Sequence, residues 1–120
     1  MIHNMKLWQE SFYKIADGSK TIELRLNDEK RQQINIDDTI VFNCTKNNDV
    51  ITAKVKALHK FADFIELYKN LPLDKCGYTA EELKTAHYTD MYAYYSQEQI
   101  ERYGALGIEL CDISVSQNCT

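Results

Sequence analysis

Residues 18–25 read GSKTIELR, and they indicate the architecture more strongly than any other segment of the chain. Gly18 ends a short helical pattern, and the residues that follow it alternate between polar and apolar. This alternation predicts a half-buried strand with Glu23 and Arg25 on its open face, because side chains two apart in a strand lie on one side, roughly 7 Å from each other. Lys20 stands at the start of that strand.

These three charged side chains have two possible interpretations. An ammonium and an arginine fork beside a carboxylate can hold a phosphate and also accept a hydrogen bond from a base. The alternative is an exposed salt bridge, which contributes under about 1 kcal/mol to stability and binds nothing. The spacing alone is compatible with both.

The remaining elements are predicted from periodicity on either side of this strand. Helical spacing predicts helices over 8–17, where Trp8, Phe12 and Ile15 share a face, and over 61–71 and 80–86, with a last one between an N-cap at Ser96 and Gly104. Alternation predicts further strands over 39–43, 50–58 and 106–113. Helices grouped between strands predict an α+β domain with an antiparallel sheet. A sheet of about five strands often closes into a barrel.

Length and composition restrict the class of protein. A chain of 120 residues has the size of one domain, predicted over 1–120 with a frayed tail at 115–120. It contains neither an apolar run of roughly 20 residues nor the apolar core of a secretion signal, so we expect a cytoplasmic protein and no membrane partner. The four cysteines and three histidines show no metal-binding spacing, and we expect no metal and no cofactor.

Charge is distributed unevenly along the chain. The first sixty residues carry ten Lys or Arg against eight Asp or Glu, and the second sixty carry four against ten, which gives a net charge of −4. A net acidic chain is a poor candidate for sequence-independent binding of duplexes, which requires clustered cations. A local basic cleft is still compatible with this composition.

The motif G-x-K-x-x-E-x-R in residues 18–25 resembles the signature of the ASCH domain, a member of the PUA-like superfamily of small β-barrels associated with RNA. The resemblance extends over residues 5–113 and includes the segments DDTIVF at 37–42, DMYAYYS at 90–96 and YGALGIE at 103–109. It implies a PUA-like antiparallel barrel of five or six strands with flanking helices. The usual Gly-Asp turn of the family is replaced here by Asp37-Asp38.

The resemblance also implies a cleft that holds RNA or a nucleotide. Its signature residues correspond to Lys20, Glu23 and Arg25, with Gly18 shaping the approach. Cations after the strand could form a rim that contacts phosphate, and the late motif could supply stacking and hydrogen bonds to a base. The alternatives are a solvated turn and aromatic rings that merely cover the sheet. These additional candidates are Lys30, Arg31, Tyr92, Tyr95 and Ser96.

Three functions are open at this stage. The first is an RNA- or nucleotide-binding module. The second is a hydrolase acting on a modified nucleoside or RNA, with Lys20 and Glu23 as candidate catalytic residues for proton transfer. Amidohydrolase relatives that deacetylate N4-acetylcytidine have a threonine nucleophile where this chain has Glu23, which weighs against that activity, and other members are associated with metal-dependent ribonuclease activity. The third is an interaction protein whose acidic second half binds a basic partner. Oligomeric state is left open.

Overall fold

One five-stranded sheet organises the computed structural model, which describes residues 1–116. Its strands are β1 (Ile2–Leu7), β2 (Ile22–Leu26), β3 (Thr39–Cys44), β4 (Val50–Phe61) and β5 (Ala105–Ser116). Their order across the sheet is β1-β3-β4-β5-β2, so β1 and β2 are the two edges. The α-helices are α1 (Gln9–Ala16), α2 (Phe64–Asn70) and α3 (Gln97–Tyr103), with short 3₁₀ helices in the remaining connections. The predicted α+β class, with a curled sheet and flanking helices, is confirmed.

The two longest strands give the sheet its curvature. β4 and β5 pair antiparallel over most of their length, with irregularities between Thr52 and Lys54 and between Val55 and Ala57. Such bulges bend a strand and increase its twist. The sheet therefore curls into a half-barrel that is open between the edge strands β1 and β2. Fully buried residues of the sheet and of α1 fill its interior, among them Phe12, Ile15, Phe42, Ile51 and Ile108.

The first strand was not expected, because the sequence predicts no element before Trp8. Its pairing also differs from the antiparallel sheet that the sequence predicts. β1 pairs in parallel with β3, from Ile2 beside Thr39 to Leu7 beside Cys44. Its buried residues alternate, but six residues that include His and Asn give a weak pattern. The sheet is mixed because the partner of β1 lies more than thirty residues away in sequence, where local periodicity carries no information about pairing.

The predicted helix over 80–86 is reduced to a 3₁₀ turn at Glu82–Lys84. Its cap forms as expected, since the Thr79 hydroxyl accepts a hydrogen bond from the Glu82 amide at 3.1 Å. Residues 80–85, however, are all exposed. A helix this short is stable only when one face packs against the protein, and this segment has no such face.

The helix ends near the C-terminus follow the sequence more closely. Ser96 caps α3 through a reciprocal capping box with Gln99, and α3 ends before Gly104 as predicted. β5 then continues to Ser116, so the predicted tail does not begin at residue 115. The rest of that predicted tail, 117–120, lies outside the described residues.

Asp38 fastens the start of β3 to β1. Its carboxylate is buried, and one oxygen contacts the ring of His3 at 2.8 Å and accepts the Asn35 amide at 3.0 Å. The hydrogen bond with His3 is the main reason that the pKa of Asp38 is lowered to about 2. Asp37 before it has φ +75°, a left-handed conformation that glycine adopts most easily, which fits the glycine usual in this turn of the family.

We expect Asp38→Asn to lower the melting temperature at pH 7. Because the pKa is depressed in the folded state, the carboxylate stabilises the fold above its ordinary pKa of 3.8, and this stabilisation is lost as the pH falls toward about 2. The difference from the unchanged protein should therefore shrink over that pH range. Asp37→Asn is the matched control, since asparagine tolerates the left-handed region. Thermal melts followed by circular dichroism test this, and a difference independent of pH would contradict it.

Candidate functional site

A cavity of about 350 Å³ lies beside β2 at the open seam of the half-barrel. Its walls come from the end of β1, from α1 and β2, and from α2 together with the segment between α2 and α3. Leu7 of the barrel interior and Met91 of a second apolar cluster both line it, so the cavity lies where the two cores meet. Its volume is in the range of small-molecule sites.

Lys20, Glu23 and Arg25 form one wall of this cavity. The Lys20 ammonium lies 2.7 Å from one Glu23 carboxylate oxygen, and the Arg25 Nε lies 2.8 Å from the other. Lys20 is 7% exposed and Glu23 is 4% exposed, so the expectation of a charged pair on a solvated strand face is wrong. The Arg25 side chain is 16% exposed, so the three charges form a largely buried cluster and not an exposed salt bridge.

The cluster is buried because the segment after α2 covers the start of β2. The Thr21 amide donates to the Lys75 carbonyl at 2.9 Å, which fixes that segment against the strand. Gly77 follows with φ +109°, and a Cβ there would lie 3.1 Å from the Cδ of Lys20. Glycine thus lets the backbone turn in a left-handed conformation directly against the Lys20 side chain.

Arg25 also connects the two edges of the sheet. One terminal nitrogen of its guanidinium donates to the Lys6 carbonyl at 2.8 Å. Lys6 belongs to β1 and Arg25 to β2, and within residues 1–116 no ladder of backbone hydrogen bonds joins these strands. The same side chain that contacts Glu23 therefore bridges the seam at the cavity.

The ionisation of Glu23 reflects two opposing effects. Burial raises the pKa of Glu23, but the nearby charges of Lys20 and Arg25 and their hydrogen bonds outweigh it, and the pKa lies below its ordinary value. The carboxylate is therefore charged at neutral pH. Two cations and one anion give the buried cluster a net positive charge.

Tyrosines and an aspartate form a second wall. The Tyr78 hydroxyl donates to Asp90 at 2.7 Å and lies 2.6 Å from the Tyr68 hydroxyl. Because Tyr78 has one proton and gives it to Asp90, Tyr68 is the donor to Tyr78, and lone pairs of the Tyr68 oxygen are free to accept. Burial raises the pKa of Tyr68 to about 12 and the pKa of Tyr78 still further, so both phenols are protonated at neutral pH.

Residues 5–114 match the family model of the ASCH domain. This chain belongs to the ASCH domain family. The family is PUA-like and associated with RNA. No curated protein is significantly similar to the chain.

Solved structures resemble this ASCH domain over most of its length. The crystal structure of hypothetical protein PH0355 is 30% identical, with a TM-score of 0.76, and the match covers 92% of this chain and 97% of that one. The solution structure of protein PF0455 from Pyrococcus furiosus is 31% identical, with a TM-score of 0.66 and coverage of 92% and 96%. The crystal structure of ASCH from Zymomonas mobilis, at 19% identity, TM-score 0.65 and coverage of 92% and 67%, shares the fold.

Some of the site residues predicted from the sequence line the cavity, and others do not. Lys20, Glu23, Arg25 and Tyr95 line it, and burial raises the pKa of Tyr95. The predicted residues that do not line it are Gly18, Lys30, Arg31, Tyr92 and Ser96. Gly18 forms the left-handed turn before β2, Arg31 pairs with Asp28 at 3.4 Å, and Ser96 caps α3. The binding roles of all nine residues stay predictions.

Several aromatic and hydroxyl groups line the cavity although they are not among the site residues predicted from the sequence. Trp8 is the clearest case, because it was expected on the buried face with Phe12 and Ile15 but is 71% exposed. Trp8 precedes the first turn of α1, so the helical period does not extend to it. Ser11 and Tyr94 also line the cavity. The helical spacing of Trp8 pointed to the core, and Ser11 gave no periodic signal, so neither residue stood out in the sequence as part of a cavity.

Neither a metal-ligating cluster nor a membrane-spanning helix is found in the described residues 1–116. Within that range, no three His, Cys, Asp or Glu side chains come together in a way that could hold a metal ion. No helix in the same range combines the length and apolar character needed to cross a membrane.

We expect Glu23→Ala to lower the free energy of unfolding by roughly 3 kcal/mol, because it leaves the Lys20 ammonium buried without a counter-charge. Glu10→Ala is the matched control, since Glu10 lines the same cavity but its side chain is 76% exposed. That control should change stability by less than about 0.5 kcal/mol. Urea denaturation measures both, and equal effects would show that burial of the Glu23 carboxylate has no energetic consequence.

Proposed function

We propose that this ASCH domain binds RNA by holding one nucleotide in the cavity against Lys20, Glu23 and Arg25. The observation that carries the proposal is the burial of this ion cluster in a cavity wall. A buried ion pair commonly stabilises a fold no better than apolar residues of similar size. Retaining three charges at this place is therefore better explained by recognition of a ligand than by folding.

The cluster offers hydrogen-bond donors to such a ligand. An ammonium has three N–H donors and a guanidinium has five. Lys20 uses two of its donors on Glu23 and on the Ser11 hydroxyl at 3.3 Å, and Arg25 uses two on Glu23 and the Lys6 carbonyl. The remaining donors suit acceptors such as base carbonyls or a phosphate oxygen.

The tyrosine wall offers the complementary acceptors. The Tyr68 oxygen retains lone pairs, and Asp90 receives both Tyr78 and the His87 amide on a single oxygen, which leaves its other oxygen for a ligand. Acceptors of this kind suit an exocyclic amine or a ribose hydroxyl. A nucleoside presents donors and acceptors together, which matches a cavity with a donor wall and an acceptor wall.

Charge balance favours the neutral part of a nucleotide inside the cavity. Its lining includes four cationic and four acidic side chains, namely Lys6, Lys14, Lys20 and Arg25 with Glu10, Glu23, Glu82 and Asp90. A site for several phosphates would need an excess of cations. We therefore infer that the base and sugar enter the cavity and that phosphates lie at its rim.

We expect the double variant Lys20→Met with Glu23→Gln to fold and to bind RNA at least tenfold more weakly. The glutamine can still accept a hydrogen bond from Arg25, and no unpaired carboxylate or ammonium is left buried. Fluorescence anisotropy with a labelled RNA oligonucleotide measures binding, and thermal melts confirm folding. Lys54→Met with Glu101→Gln is the control, since both positions are exposed and outside the cavity. Unchanged affinity in the cavity double variant would exclude the cluster from the binding site.

The second candidate function is a hydrolase, and one contact in the cavity favours it. The Ser11 hydroxyl lies 3.3 Å from the Lys20 ammonium, a pairing that could activate a nucleophile if the lysine were neutral. The Lys20 ammonium is instead paired with the Glu23 carboxylate at 2.7 Å, and an ammonium has three N–H donors but no lone pair with which to take the serine proton. Burial raises the pKa of the Cys76 thiol, which also lines the cavity, to about 12, so it is not a thiolate at neutral pH.

We therefore expect N4-acetylcytidine to be left intact on incubation with the protein. Chromatography that separates it from cytidine measures the reaction. Ser11→Ala should leave this result unchanged. Deacetylation by the unchanged protein that is lost in both Ser11→Ala and Lys20→Met would establish the hydrolase in place of the binding module.

A further inference from the structure

A second, more open hollow of about 370 Å³ adjoins the cavity, and Lys6 lines both. It lies between the end of β1 and the loop that joins β3 to β4. Two lysines and several amide side chains line it, and none of its lining residues in the described part of the chain is acidic. The polar groups include Lys6, Lys46, Asn43, Asn47 and Asn48.

The two hollows differ in charge in a way that suits successive parts of a nucleic acid strand. The cavity has balanced charges and opposing donor and acceptor walls, which suit a base and sugar. The second hollow carries two positive charges and amide donors, which suit phosphate oxygens. A free nucleoside could occupy only the first hollow, whereas a strand that continues past the cavity would reach the second.

Trp8 lies close to the connection between the hollows. It follows Lys6 by two residues, lines the cavity and is 71% exposed. The Phe12 amide donates to its carbonyl at 3.0 Å, so the first turn of α1 fixes its backbone. An exposed indole on a fixed backbone is a stacking surface for a base, and such stacking is worth about 1–3 kcal/mol in proteins that bind single strands.

We propose that the protein engages single-stranded RNA over more than one nucleotide. One base enters the cavity, the neighbouring base stacks on Trp8, and the adjoining phosphates lie on Lys6 and Lys46. This inference rests on the proposed function, because it requires a nucleotide in the cavity. It adds that the ligand is a strand and that the second hollow is a phosphate-binding subsite.

The first measurement compares ligand lengths. A fluorescein-labelled RNA hexanucleotide of mixed sequence is followed by anisotropy, and the four nucleoside monophosphates are followed by calorimetry. We expect the hexanucleotide to bind at least tenfold more tightly than any monophosphate. Trp8 is the chain's single tryptophan, so quenching of its fluorescence by unlabelled hexanucleotide reports contact at that residue.

The second measurement separates the two parts of the subsite. Trp8→Ala should weaken hexanucleotide binding at least fivefold, as loss of one stacked base predicts, and change monophosphate binding less than twofold. Lys46→Gln should lower the slope of log affinity against log salt by about 0.7, the value for one phosphate contact with a single strand. Lys54→Gln makes the same charge change at an exposed position of β4 outside both hollows, and its slope should be unchanged.

The outcomes distinguish this inference from the function on which it rests. Equal affinity for monophosphate and hexanucleotide would overturn the strand but keep the nucleotide-binding cavity. Equal slopes for Lys46→Gln and Lys54→Gln would overturn the phosphate subsite. Binding of neither ligand would overturn both proposals. Tighter binding of a DNA hexanucleotide of the same sequence would overturn the assignment to RNA.

Discussion

The Glu23 carboxylate is the group on which the arrangement of the site depends. One of its oxygens contacts Lys20 and the other contacts Arg25, so neither cation takes its position independently of it. A carboxylate that is 4% exposed is stable in its charged form only when such partners compensate for lost water. The two cations in turn need the carboxylate, and the three side chains therefore form a unit that is present as a whole or not at all.

This unit lies at the seam where the sheet is left open. A fully paired barrel has no free edges, whereas the described part of this half-barrel leaves β1 and β2 without a ladder between them. Arg25 spans the seam with its hydrogen bond to the Lys6 carbonyl, and α1 lies in the covalent connection between the two strands. The unpaired edges of β1 and β2 and the fixed polar side chains thus lie at the same place, and the cavity there has a polar lining.

The proposed function follows from how polar groups are distributed around that seam. Donors on β2 and just before it face a cavity whose other wall presents the Tyr68 oxygen and Asp90 as acceptors. Two lysines and no acidic residue of the described chain line the adjoining hollow. The net charge of −4 is no obstacle to binding an anion, because the relevant quantity is the local charge of each hollow. A chain that is acidic as a whole can therefore contain a surface suited to a nucleic acid strand.

Local sequence determined much of this molecule. The alternation after Gly18 predicted β2 and the shared face of Glu23 and Arg25, because strand geometry places residues two apart on one side. The capping box at Ser96 and the end of α3 at Gly104 were also predictable from local sequence, because a helix cap involves residues within one turn of each other.

Only the tertiary structure decided whether those faces are covered. Glu23 is buried because the segment around Lys75 packs on β2, and β1 pairs in parallel with a strand more than thirty residues away. The hydrogen bonds from Tyr68 to Tyr78 and from Tyr78 to Asp90 also depend on how separate segments pack together. Periodicity specifies which side chains point the same way, but burial and pairing depend on which distant surface they meet, and a single sequence does not encode that in any local pattern.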